Sequence, residues 1–72
     1  MYAIKLIGLY QIDHNAYYRK QGIYCFDFVN SLYFATKFDS EDDETIVSFR
    51  RNSDWYLNQY NAKSYEIVNL EG

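Results

Sequence analysis

The chain has no proline, three glycines, one cysteine and one histidine, and each scarcity removes a class of chemistry. Without proline or a Gly/Ser-rich stretch there is no linker, so the 72 residues read as one small domain, 1–72, with no internal repeat. A single cysteine, Cys25, has no partner for an intramolecular bridge, which suits a reducing compartment. A lone histidine, His14, has no second histidine or nearby cysteine with which to build a metal site, and a catalytic base needs a placed partner. No glycine-rich phosphate loop is present, and none of Ser31, Ser40, Ser48, Ser53 and Ser64 lies in a G-x-S-x-G setting. The expectation is a chain with no catalytic residues, no metal and no cofactor.

Long apolar runs are missing too. The opening "MYAIKLIGLY" mixes charge into its apolar residues too early for a signal peptide, and nothing approaches the ~20 apolar residues of a membrane span. A cytoplasmic location is expected. Basic residues are few: Lys and Arg number seven against ten Asp and Glu, a formal charge of −3. That balance disfavours direct nucleic-acid binding, which depends on clustered cations displacing counterions from phosphates.

What the chain has in abundance is aromatic rings, 21% of residues, with nine tyrosines. A domain this small buries only about 60% of the surface its unfolded chain exposes, and each buried ring removes on the order of 150–250 Å² from water. A few rings can carry the core. Nine phenols are more than such a core can satisfy, so several should lie at the surface, where binding sites favour tyrosine.

Alternation in "YAIKLIGLYQID" predicts a strand over Tyr2–Asp13, bent at Gly8, with Tyr2, Ile4, Leu6 and Leu9 inward. "HNAYYRKQG" reads as a turn, and "IYCFDFV" as a second strand with Tyr24, Phe26 and Phe28 alternating against Cys25 and Asp27. The two strands should form a hairpin, with Cys25 an inert buried thiol. Asn30 and Ser31 break the pattern, and "LYFATKF" gives either a third strand or a helical turn followed by a short strand at Thr36–Phe38; the second is preferred.

A helix should begin after Phe38, capped by Asp39 or Ser40 with Asp43 completing an approximate capping box, and run through Ile46, Val47 and Phe49 to Arg50–Arg51. "ETIVSF" is also rich in strand formers, so a strand at 44–50 stays open. "SDWYLNQY" should add a helical turn capped by Ser53 that buries Trp55 and Tyr60, and Ser64–Leu70 should return as a strand through Tyr65, Ile67 and Val68. The expected fold is α+β: a small antiparallel β-sheet of three to four strands with one or two helices packed on one face, in the order β-β-α-β.

Two features are candidates for binding. Asp39, Glu41, Asp42, Asp43 and Glu44 place five carboxylates in six residues. No glycine and no twelve-residue loop spacing support calcium. One reading is a solvated helix start favoured by the dipole; the other is an acidic surface for an Arg/Lys-rich groove on a nucleic-acid enzyme, which Asp13, Asp27, Asp54, Glu66 and Glu71 could extend if the fold gathers them. The second feature is Tyr17, Tyr18 and Arg19. Consecutive rings in a turn cannot both enter a sheet core, and Tyr beside Arg is the pairing that interface hot spots favour.

The segments "YAIKL", "GLYQID", "ATKFDSEDDE" and "YEIVNLE", taken together, resemble short reading frames carried by phages and mobile elements of low-GC Gram-positive bacteria. The likeness spans most of the chain, as strand, capped helix and strand. Proteins of this kind include anti-CRISPR proteins and inhibitors of DNA-repair glycosylases. The resemblance therefore implies a non-catalytic inhibitor in the host cytoplasm with a protein partner, such as a CRISPR effector nuclease. The alternative is a small phage structural or regulatory protein that self-associates or binds another phage protein.

Overall fold

The computed structural model describes residues 1–9, 16–22 and 25–71. Four strands form one antiparallel sheet: β1 (Tyr2–Ile7), β2 (Ala16–Lys20), β3 (Phe26–Val29) and β4 (Ser64–Asn69), in the spatial order β3-β2-β1-β4. A 3-10 turn (Leu32–Phe34) follows β3, and two helices, α1 (Glu44–Arg51) and α2 (Ser53–Tyr60), precede β4. The fold is thus α+β, with one strand and one full helix more than the simple β-β-α-β order.

The added strand is β2, in the stretch read as a turn. Its side chains alternate, Tyr18 inward and buried, Tyr17 and Arg19 on the opposite face. Pairing with β3 sets Arg19 against Asp27 and Tyr18 against Phe28, so Phe26–Val29 of "IYCFDFV" forms the third strand in chain order and not the second, and it pairs with β2 and not with β1. β1 closes at Ile7, because Gly8 turns to a φ of +71°. A Cβ there would stand 2.9 Å from the Lys63 side chain, so both conformation and space call for glycine. His14 lies outside the described residues, as do Asp13 and Tyr24.

One face of the sheet and both helices enclose the core. Ile4 and Leu6 of β1, Tyr18 of β2, Phe38, and Ile46 and Phe49 of α1 are buried, with Phe26, Phe28, Tyr65 and Ile67 closing the sheet side. α2 adds Tyr56, Leu57 and Tyr60, spaced along one side of the helix. Rings make much of this contact: Phe49 stacks on Tyr56 at 4.4 Å and meets Tyr65 edge-on at 5.2 Å, while Tyr60 meets Phe28 at 4.8 Å. Tyr56 is the ring of "DWY" that packs inward; Trp55, expected to be buried, is 53% exposed one position away on the helix. Cys25 is likewise exposed, standing just outside β3.

Capping side chains set the helix limits. Asp43, and not Asp39 or Ser40, caps α1 by accepting from the Thr45 N–H at 2.8 Å. Asn52 ends α1 by donating its side-chain amide to the Ser48 carbonyl at 2.9 Å, and as the residue before α2 it occupies the cap position expected for Ser53. Asn61 ends α2 in the left-handed region, φ 53°, which sends the chain into β4.

Truncating Phe49, 1% exposed, to alanine should cost about 3–5 kcal/mol in denaturant unfolding. Burial also pushes the phenols of Tyr18, Tyr56 and Tyr60 up from the ordinary value, so their neutral forms favour the fold. Raised folded values mean that this stabilisation is present below ~pH 10 and is lost as pH rises beyond it. Spectrophotometric titration should show a tyrosine subset ionising late, together with unfolding.

Candidate protein-binding surface

β1 and β2 pair over only two residue positions, Lys5 with Tyr17 and Leu6 with Ala16, and then diverge. Thr36–Phe38 occupies the gap. Phe38 exchanges both backbone hydrogen bonds with Tyr2, at 2.7 and 2.8 Å, and Thr36 donates its N–H to the Tyr18 carbonyl at 3.0 Å while its hydroxyl accepts from the Lys20 N–H at 2.7 Å. This wedge has the 3-10 turn on one side in sequence and the acidic run on the other.

Three consecutive large residues in a 3-10 turn point in three directions, because successive side chains are about 120° apart. Leu32 is half-buried, which leaves Tyr33 and Phe34 outward at 82% and 58% exposure. Their rings meet edge-on at 5.0 Å. The backbone beneath them is held: the Ser31 hydroxyl accepts from the Tyr33 N–H, and the Lys37 ammonium donates to the carbonyls of Leu32 and Tyr33. An aromatic pair kept in water on a braced turn costs little further ordering when a partner covers it.

On the far side of the wedge, the Ser40 hydroxyl accepts from the Asp42 N–H at 3.0 Å, turning the chain into α1. The five carboxylates then divide. Asp43 caps the helix and Glu41 accepts from Arg50 at 3.1 Å. Asp39, Asp42 and Glu44 are exposed and make no side-chain hydrogen bond or ion pair among the described residues. Part of the run thus starts a helix, and three of its carboxylates stand exposed to solvent. Phe34 and Asp39 are five residues apart, so their Cα atoms lie no more than about 18 Å apart.

Three of the other expected extensions, Asp27, Glu66 and Glu71, have cationic neighbours of their own. Asp27 is held by Arg19 through two hydrogen bonds, 2.9 and 2.6 Å, with Gln21 donating at 3.1 Å. Glu71 pairs with the Met1 ammonium at 2.9 Å, and Glu66 stands opposite Lys5 across β1 and β4. Of the Tyr17–Tyr18–Arg19 group, Tyr18 belongs to the core at 7% exposure and is removed from the candidates. Tyr17 and Arg19 share the sheet face opposite the helices and are half-buried. Tyr33 and Phe34 are the surface residues that periodicity did not single out; the clue was three large residues in a row after the Asn30–Ser31 break.

The described residues hold no group of three or more His, Cys, Asp or Glu able to bind a metal ion, and no helix among them is long and apolar enough to cross a membrane. An open cleft of about 520 Å³ is lined by Gly8, Leu9, Leu57, Asn58, Asn61, Ala62 and Lys63. Lys63 is its one ionisable group among the described residues, so it brings no acid–base pair together. No family model, curated protein or solved structure matches the chain.

Asp43→Ala should cost ~1 kcal/mol through the lost cap, whereas Asp42→Ala should stay within ~0.5 kcal/mol in the same denaturation assay. The Arg19 guanidinium, by hydrogen bonding and then by its charge, holds the Asp27 carboxyl below its ordinary value. A depressed folded value gives stability that is present at neutral pH and lost as pH falls below ~4 through that folded value. The acid limb of a melting-temperature profile should be shallower for Asp27→Asn.

Proposed function

We propose that the protein is a non-catalytic, protein-binding inhibitor that applies the 3-10 turn and the acidic start of α1 to a basic surface of a nucleic-acid enzyme. The observation that carries this reading is the exposure of Tyr33 and Phe34, at 82% and 58%, before the Thr36–Phe38 segment, together with three exposed carboxylates after it that have no intramolecular partner among the described residues. Aromatic anchors supply binding energy where they become fully desolvated, and unpaired acids steer encounter with a cationic groove and fix its register. Tyr17 and Arg19 on the far sheet face form a second patch whose engagement would require a partner that wraps the edge of the domain.

The resemblance to short phage and mobile-element reading frames makes a CRISPR effector nuclease in the bacterial cytoplasm the target class to test. Affinity capture with such effectors should retain the enzyme on the native protein. Tyr33→Ala/Phe34→Ala should lose it. Asp39→Lys/Asp42→Lys/Glu44→Lys should slow association and remove its salt dependence, while Asp43 is left intact so that the helix cap does not confuse the result. Unchanged retention by both variants would discard this surface, and recovery of the protein alone would favour the self-associating alternative.

A further inference from the structure

β4 is the last strand of the sheet on its side, and the hydrogen-bond phase of its ladder determines what its open edge presents. The Leu70 N–H donates to the Met1 carbonyl at 2.8 Å, which makes Met1 and Leu70 a hydrogen-bonded pair. In an antiparallel ladder such pairs alternate. Residues 64, 66, 68 and 70 therefore turn their amides and carbonyls toward β1, and Tyr65, Ile67 and Asn69 turn theirs away. The same phase makes Tyr2 face away from β4, as its two bonds to Phe38 require. Among the described residues nothing bonds the outward backbone groups of Tyr65, Ile67 and Asn69.

The edge has few of the usual protections. Proteins blunt exposed strands with proline, charged side chains and lysine above all, a bulge or a very short edge, and Glu66 is the single charge on this strand. β4 has no proline and no lysine, and its six residues pair with β1 in unbroken register.

We propose that β4 pairs antiparallel with β4 of a second copy about a two-fold axis at Ile67, joining two four-stranded sheets into one. Register selects this centre. Outward residues must meet outward residues, and with the axis at Ile67 all three do: Ile67 meets its counterpart, Tyr65 meets Asn69, and Asn69 meets Tyr65. Glu66 then stands opposite Val68 in both directions. An axis at Glu66 leaves two outward pairings and sets two carboxylates directly opposite at a close, non-hydrogen-bonded position, where like charges repel. An axis at Val68 also leaves two. β3, the other edge, is four residues long and offers only Phe26 and Phe28 outward in its ladder with β2, so it is the poorer template. A two-fold contact uses the same strand twice and closes, whereas β4 on β3 would continue into a filament.

Sedimentation velocity of the full chain in reductant, which keeps exposed Cys25 from cross-linking copies, should give a species of twice 8.7 kDa. Val68→Glu places a carboxylate opposite Glu66 at two symmetric positions and should raise the dimer dissociation constant on the order of ten-fold. Val68→Lys should leave the dimer intact, because lysine meets Glu66. Adding Glu66→Gln to Val68→Glu should restore it. Circular dichroism on each variant separates loss of pairing from loss of fold, since Val68 also stands opposite Ala3 in the same chain. A monomer at several hundred micromolar, a dimer that ignores Val68→Glu, or growth into filaments would each overturn the proposal. The measurement uses this protein alone, so it stands or falls apart from the identity of any inhibited enzyme.

Discussion

The backbone exchange between Tyr2 and Phe38 organises much of the molecule. β1 and β2 part company after two paired positions, and two strands that diverge leave amides and carbonyls facing a gap. Phe38 satisfies Tyr2 on one side of that gap and Thr36 satisfies Tyr18 and Lys20 on the other. The chain leaving β3 must therefore cross to the far side of β2. That crossing brings the 3-10 turn and the start of α1 to the two ends of one short extended segment. The candidate surface exists because the sheet had a gap to fill.

Aromatic packing makes such a small core sufficient. Phe49 lies between Tyr56 and Tyr65, and Phe26, Phe28, Tyr18 and Tyr60 continue the contact across the sheet. Tyrosine suits the edge of such a core because the ring can be covered while the hydroxyl reaches water. No buried side-chain nitrogen or oxygen lacks a partner among the described residues. The same residue type serves inside and outside: Tyr56 and Tyr33 differ in which side of their element they occupy.

Much of the fold was legible where one face is buried and the other wet. β1, β3 and β4 announced themselves by alternation, and α1 by its acidic start and the Arg50–Arg51 end. The turn and short extended segment within "LYFATKF" were also readable, because Asn30–Ser31 interrupts the strand. β2 was hidden because "AYYRK" carries large amphipathic groups at four consecutive positions after Ala16, so no period of two shows until β3 sets the register. Trp55 and Tyr56 could not be ranked by size, since helix orientation decides which ring faces Phe49. The acidic run was conspicuous but undivided; only the hydrogen bonds of Asp43 and Glu41 separate structural carboxylates from available ones. The Tyr33–Phe34 pair was obscured for a similar reason, as exposure of a ring depends on which way a single turn faces.

The register that sets Tyr2 opposite Asn69 joins positions near opposite ends of the chain, with β1 in the sheet interior and β4 arriving last. During synthesis, Ile4 and Leu6 emerge before Tyr65 and Ile67 and must wait for them before the sheet beside them is complete. A nascent chain that has not yet released β4 leaves one side of β1 unpaired. Closing the sheet therefore waits on the translation of β4, and a ribosome stalled before β4 would display the β1 edge that the folded domain covers.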